Sequence, residues 1–101
     1  MMMIAFRSKL TETAGGDGYG QMAEAMEKHA RGYPGFVDVK AFTAADGERL
    51  TLVWWQDEET LEAWSNDLKH RAAKDLGRAK WYQYYKIDVA KIIRSSNFDR
   101  Q

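Results

Sequence analysis

Leu52-Val-Trp-Trp-Gln-Asp-Glu-Glu-Thr-Leu-Glu-Ala-Trp64 changes its hydrophobic period midway, and that change decides the fold. From Leu50 to Trp55 apolar residues occupy both faces after Thr51, as in a strand covered on both sides. Asp57 then offers a carboxylate to the free amides of a helix start, and Glu58 and Glu59 complement the positive end of its dipole. Leu61, Trp64 and Leu68 recur at helical spacing and form an apolar stripe. A strand therefore runs directly into an amphipathic helix.

Upstream, Ala45-Asp46-Gly47 is a hairpin signal, because Asp-Gly accepts positive φ. It joins Leu50–Trp55 to a second strand over Phe36–Thr43, in which Val37, Val39 and Ala41 alternate with Asp38 and Lys40. Before it, Tyr19, Met22, Ala23, Met26 and Ala30 predict a helix, with Glu24, Glu27, Lys28 and Arg31 on its wet side. Asp17 is a candidate cap for that helix, and Gly32 with Pro34-Gly35 stops it. Ile4, Phe6 and Ser8 alternate with Ala5, Arg7 and Lys9 as a first strand, which the Gly15-Gly-Asp-Gly18 cluster ends. Downstream, the second helix breaks near Asn66-Asp67, and Ala72, Ala73 and Leu76 continue a helical face to Gly77. Tyr82 to Arg94 alternates again, with Tyr85, Ile87 and Val89 opposite Tyr84, Lys86, Asp88 and Ala90. The expected domain covers residues 1–95, followed by a frayed tail at 96–101.

The order β-α-β-β-α-β is the split-βαβ, ferredoxin-like arrangement, an α+β fold with a four-stranded antiparallel sheet. Two helices cover one face of such a sheet, while Trp54 or Trp55, Phe36, Phe42 and Tyr84 also need cover. A homodimer packing sheet against sheet is the simplest remedy, because the exposed patch would otherwise exceed what monomers carry.

Composition narrows the function classes. At 101 residues the chain suits one domain. Fifteen basic and fifteen acidic residues leave a formal charge of zero and no basic stripe, which argues against nucleic-acid binding. No apolar run reaches the ~18 residues of a membrane span, and no leader pattern precedes the first strand. The absence of cysteine excludes disulfides, thiolate metal sites and a cysteine nucleophile. A cytoplasmic location fits these features.

Few residues carry chemistry. Trp64 reads as a core anchor or as a ligand wall. His70 lies just past the Asn66-Asp67 break, where Asp67 would either cap a restarted helix or orient the imidazole; the other reading is a solvated histidine between Lys69 and Arg71. His29 reads as a helix-end residue favoured by the dipole. Tyr82, Tyr84 and Tyr85 offer hydroxyls, although tyrosine is also a common strand residue. Neither histidine has a partner at the i,i+4 spacing of a metal-binding pair, and no serine sits in a nucleophile elbow. The glycine cluster lacks a phosphate-loop pattern, and Asp17 would repel an anion.

The run Trp54-Trp-x-Asp-Glu-Glu, Ala63-Trp64, His70-Arg, Gly77-Arg78 and Trp81-Tyr-Gln-Tyr-Tyr85 resembles the antibiotic biosynthesis monooxygenase family, small dimeric α+β barrels with haem-degrading relatives. The resemblance extends from Ile4 to Arg94. It implies a hydrophobic pocket between sheet and helices, lined at the Trp64 position, and oxidation of phenolic aromatics by dioxygen without metal or flavin. No cofactor is then expected. In the quinone-forming members an asparagine stands where Thr60 is, and a tyrosine where His70 is. On this footing Trp64 and His70 are the catalytic candidates, and Thr60, Tyr84, Trp54 and Trp64 the substrate-binding ones. The haem-degrading members carry a strand-one asparagine and a later histidine; Phe6 or Arg7 and Lys74 occupy those places here, which disfavours haem. A non-catalytic binder of a hydrophobic metabolite is the main alternative, and a haem protein the second.

Overall fold

In the computed structural model, which describes residues 1–12, 18–67 and 81–100, the chain runs β1 (Met2–Leu10), α1 (Tyr19–Arg31), β2 (Phe36–Thr43), β3 (Arg49–Trp55), α2 (Glu58–Ser65) and β4 (Tyr82–Lys91). The strands form one four-stranded sheet in the order β2-β3-β1-β4, with every neighbouring pair antiparallel. This is the ferredoxin-like arrangement that the hydrophobic periods imply. Among the described residues no helix is long and apolar enough to cross a membrane.

Local chemistry sets the element ends. The Asp57 carboxylate accepts the Thr60 amide at 2.9 Å, and the Thr60 hydroxyl donates to the Asp57 carbonyl at 3.1 Å, so the first turn of α2 is doubly tied. That helix ends at Asn66, where the sequence breaks its stripe. Its expected continuation through Leu68, Ala72, Ala73 and Leu76 to Gly77 lies outside the described residues, as do His70 and Lys74. The cap position of α1 is Gly18, which has no side chain to cap with; Asp17 also lies outside the described residues. Pro34 and Gly35 form the tight turn into β2, with the Phe36 amide donating to the Tyr33 carbonyl at 3.2 Å and Gly35 at φ 87°. Gly47, at φ 92°, closes the β2–β3 hairpin, and its amide donates to the Ala44 carbonyl at 3.0 Å.

Both helices lie on one sheet face. There Met2, Ala30, Trp55, Leu61 and Trp64 form the core, with Ile4, Met26, Tyr33, Phe36 and Val53 packed against it. Two expectations change. An irregularity between Phe36 and Asp38 pairs Phe36 with Trp55 and Asp38 with Trp54. The extra residue turns Phe36 inward, where its ring meets Trp55 edge-on at 5.9 Å, and leaves Val37 exposed. Phe36 therefore belongs to the core and not to the outer face. The regular pairing of β4 ends at Lys91, short of Arg94, although the Ile92 amide still donates to the Met1 carbonyl at 2.9 Å. The opposite sheet face carries Phe42, Leu50, Leu52, Trp54 and Tyr84, and neither helix covers it.

Candidate functional site

A cavity of about 270 Å³ opens between the inner sheet face and the two helices. Alternation along the strands supplies its floor: Ile4 and Phe6 from β1, Val39 and Ala41 from β2, Thr51 and Val53 from β3, and Ile87 and Val89 from β4. The α1 stripe supplies Met22, Ala23, Met26 and Ala30, at the spacing that places them on one side of a helix. Tyr19, Glu27, Arg49, Thr51 and Ser65 are the polar residues of the described lining. The size lies near the lower end of ordinary small-molecule pockets, and the mostly apolar wall with a few polar groups is their usual composition.

Trp64 forms the wall where the two helices meet. Its indole stacks on Trp55 with centroids 5.6 Å apart, takes the edge of Tyr33 at 5.3 Å, and lies 5.4 Å from the His29 ring. The Tyr33 hydroxyl donates to the Ala63 carbonyl at 3.1 Å, which ties this support to α2 itself. Trp64 belongs to the core and also borders the cavity.

The other candidates are dispersed. Trp54 and Tyr84 fall on the outer face, where the Tyr84 hydroxyl donates to the Glu48 carboxylate at 2.7 Å and Arg7 reaches its other oxygen at 3.1 Å. That hydroxyl, and then the guanidinium, hold the Glu48 carboxyl below its ordinary range, while the carboxylate raises Tyr84. Thr60 points back to Asp57 and packs against Gly35. None of the three is among the described lining residues. Asp67, read as a cap for a restarted helix or as a partner of His70, stands with an oxygen 3.4 Å from His29 Nε2. That pairing joins the end of α1 to the end of α2 across Trp64.

His29 and Arg49 are the residues that reading the sequence underrated. His29 follows Met26 by three positions and precedes Tyr33 by four, which places it toward the core side of α1. Arg49 precedes Thr51, Val53 and Trp55 by steps of two, so its side chain belongs to the inner face. It lies at the opposite end of β3 from Trp55, with its guanidinium carbon 5.5 Å from the centre of the Tyr19 ring. Tyr19 in turn meets Trp81 and Tyr82 edge-on at 5.8 and 6.0 Å. Burial, and secondarily Tyr19, push the Tyr82 phenol well above the ordinary tyrosine range, so it stays protonated. No group of three or more candidate metal ligands occurs among the described residues. Their lining offers no imidazole to a haem iron, and Phe6 lines the cavity from β1.

No protein-family model matches the chain. It is 38% identical to the uncharacterized protein YqjZ of Bacillus subtilis (strain 168) over 81 residues, 80% of this chain and 71% of that protein. A Deinococcus radiodurans protein provisionally named an antibiotic biosynthesis monooxygenase superposes with a TM-score of 0.85 at 12% identity, covering 99% of this chain and all 100% of the other. SnoaB, a cofactor-independent oxygenase from Streptomyces nogalater, superposes at 0.76 and 10% identity over 93% and 94% of the two chains. This chain belongs to the family of YqjZ, and its fold is that of the antibiotic biosynthesis monooxygenases, the family its sequence resembles.

Proposed function

We propose that the protein is a cofactor-independent oxygenase for a small aromatic, phenolic substrate, held between sheet and helices against Trp64. The observation that carries this reading is the cavity itself: apolar on most sides, walled by a braced indole, and set in a fold shared with SnoaB. Such a substrate supplies all the electrons. After loss of a phenol proton the ring donates an electron to dioxygen, and a ring CH₂ plus O₂ become C=O plus H₂O. The protein's part is to orient the ring, exclude water and take the proton, for which His70 is the candidate base.

The same reading includes a homodimer formed through the uncovered sheet face, and a cytoplasmic protein. Oxygen uptake with a panel of polycyclic phenols tests it: uptake coupled to carbonyl formation is the expected result. Saturable binding of the same compounds without uptake would instead mark a non-catalytic binder of a hydrophobic metabolite.

A further inference from the structure

Arg49 is a cation with no ion-pair or hydrogen-bond partner among the described residues, held on the inner face in the lining of a mostly apolar cavity. A guanidinium placed this way has lost part of its water and, among the described residues, gained the face of Tyr19 in return. Its planar fork of donors suits an oxyanion better than a neutral group. The acidic residue of the lining, Glu27, stands eight positions along α1 from Tyr19, about 12 Å away on a helix. Arg31 pairs with it at 3.5 Å. Along β3, Arg49 and Val53 are separated by about 13 Å of strand, and Val53 packs into the core that holds Trp64. The cavity is therefore bipolar, with a flat apolar wall at one end and, at the other, a cation without an acidic partner among the described residues.

We infer that the cavity is built for an aromatic anion, its ring system against Trp64 and its carboxylate or phenolate oxygen on Arg49. The inference rests on the aromatic-substrate reading above and adds the charge of the substrate and the residue that selects for it. Arg49 is then a specificity-determining residue, and a neutral hydrocarbon of the same shape is a poorer ligand.

Calorimetric titration of the full chain with 2-naphthoate and with 2-naphthamide, which share shape and differ in charge, tests the inference. A charge-assisted contact predicts that the acid binds about 10–100-fold more tightly than the amide. Arg49→Gln should bring the acid and amide affinities together, and Arg49→Lys should keep part of the preference. The two oxyanion sources separate with 4-nitrophenol: a fall in its ionisation pH on binding, seen as the yellow phenolate and lost in Arg49→Gln, assigns phenolate. Discrimination confined to the naphthoate pair assigns carboxylate. Equal binding of acid and amide by the wild-type protein overturns the role of Arg49 and leaves the aromatic pocket standing, as does a preference that survives in Arg49→Gln. Binding of neither compound overturns both readings. The wild-type comparison decides the matter even where a variant does not fold.

Discussion

At the scale of single residues, Trp64 packs in the core and borders the cavity, and substitution tests whether it also holds a ligand. Phenylalanine keeps much of its volume but shortens the contact with Trp55, Tyr33 and the cavity. Aromatic pairing of this kind contributes roughly 0.5–1.5 kcal/mol, so Trp64→Phe should weaken aromatic ligands by about 2–10-fold. Comparing ligand affinity with melting temperature checks the assignment. A fall in melting temperature with unchanged affinity would leave Trp64 as a core anchor alone. His70 makes a sharper case, because imidazole is the side chain whose charge changes nearest neutral pH. If it takes the phenol proton, His70→Gln should slow turnover by roughly 10²–10⁴-fold. The wild-type rate should then rise with pH through about 6.5. An unaltered rate and pH profile in the variant would remove His70 from the chemistry.

At the scale of elements, the joints carry the information. The turn from α1 into β2 needs Gly35 twice over: its φ of 87° disfavours any side chain, and a Cβ there would run into the Thr60 side chain. Its carbonyl also accepts the Gln56 amide at 2.8 Å, which locks the turn to the end of β3. Gly35→Ala should therefore destabilise by about 1–3 kcal/mol, read as a lower denaturant midpoint with an unchanged slope. The hairpin joining β2 to β3 is tied to β4 through Glu48, which bonds Tyr84 and Arg7. Because folding lowers the Glu48 pKa, the pairing stabilises the fold above the ordinary carboxylate range and is lost as pH falls through the folded-state value. Acidification from about pH 4.5 to 3 should lower the melting temperature more in the wild type than in Glu48→Gln. Parallel melting curves for the two proteins would show that the pairing contributes nothing measurable.

At the scale of the whole molecule, the described helices cover the sheet on one side only. Phe42 is 45% exposed on the face that the helices leave open, in the company of Leu50, Leu52 and Trp54. A second copy packed there would satisfy the homodimer proposal and should bury more than ~2,000 Å² in total, the usual scale for permanent pairs. Sedimentation at micromolar concentration should accordingly give twice the chain mass. Leu52→Glu should shift the protein toward monomer, because it places a charge at the centre of that face. A wild-type monomer with a stable fold would rule the sheet-to-sheet dimer out.

The order and type of the elements were legible in the residues alone. Period-two alternation, period-3.6 stripes and the Asp57 cap are local signals, and each was sufficient to define its own segment. The apolar stripe of Leu61 and Trp64 was legible for the same reason, since it is set by spacing within one helix. Facing and convergence were not. One extra residue between Phe36 and Asp38 sends Phe36 to the core, and only pairing with β3 reveals it. Trp54 and Trp55 are adjacent in sequence but lie on opposite faces, with Trp55 fully buried. Arg49 falls just before the strand read over Leu50–Trp55 until register places it beneath Tyr19, and His29 looks like a dipole partner until α2 brings Trp64 and Asp67 to it. These are contacts between segments distant along the chain, so they exist only once the sheet has chosen its register and the helices have docked on it.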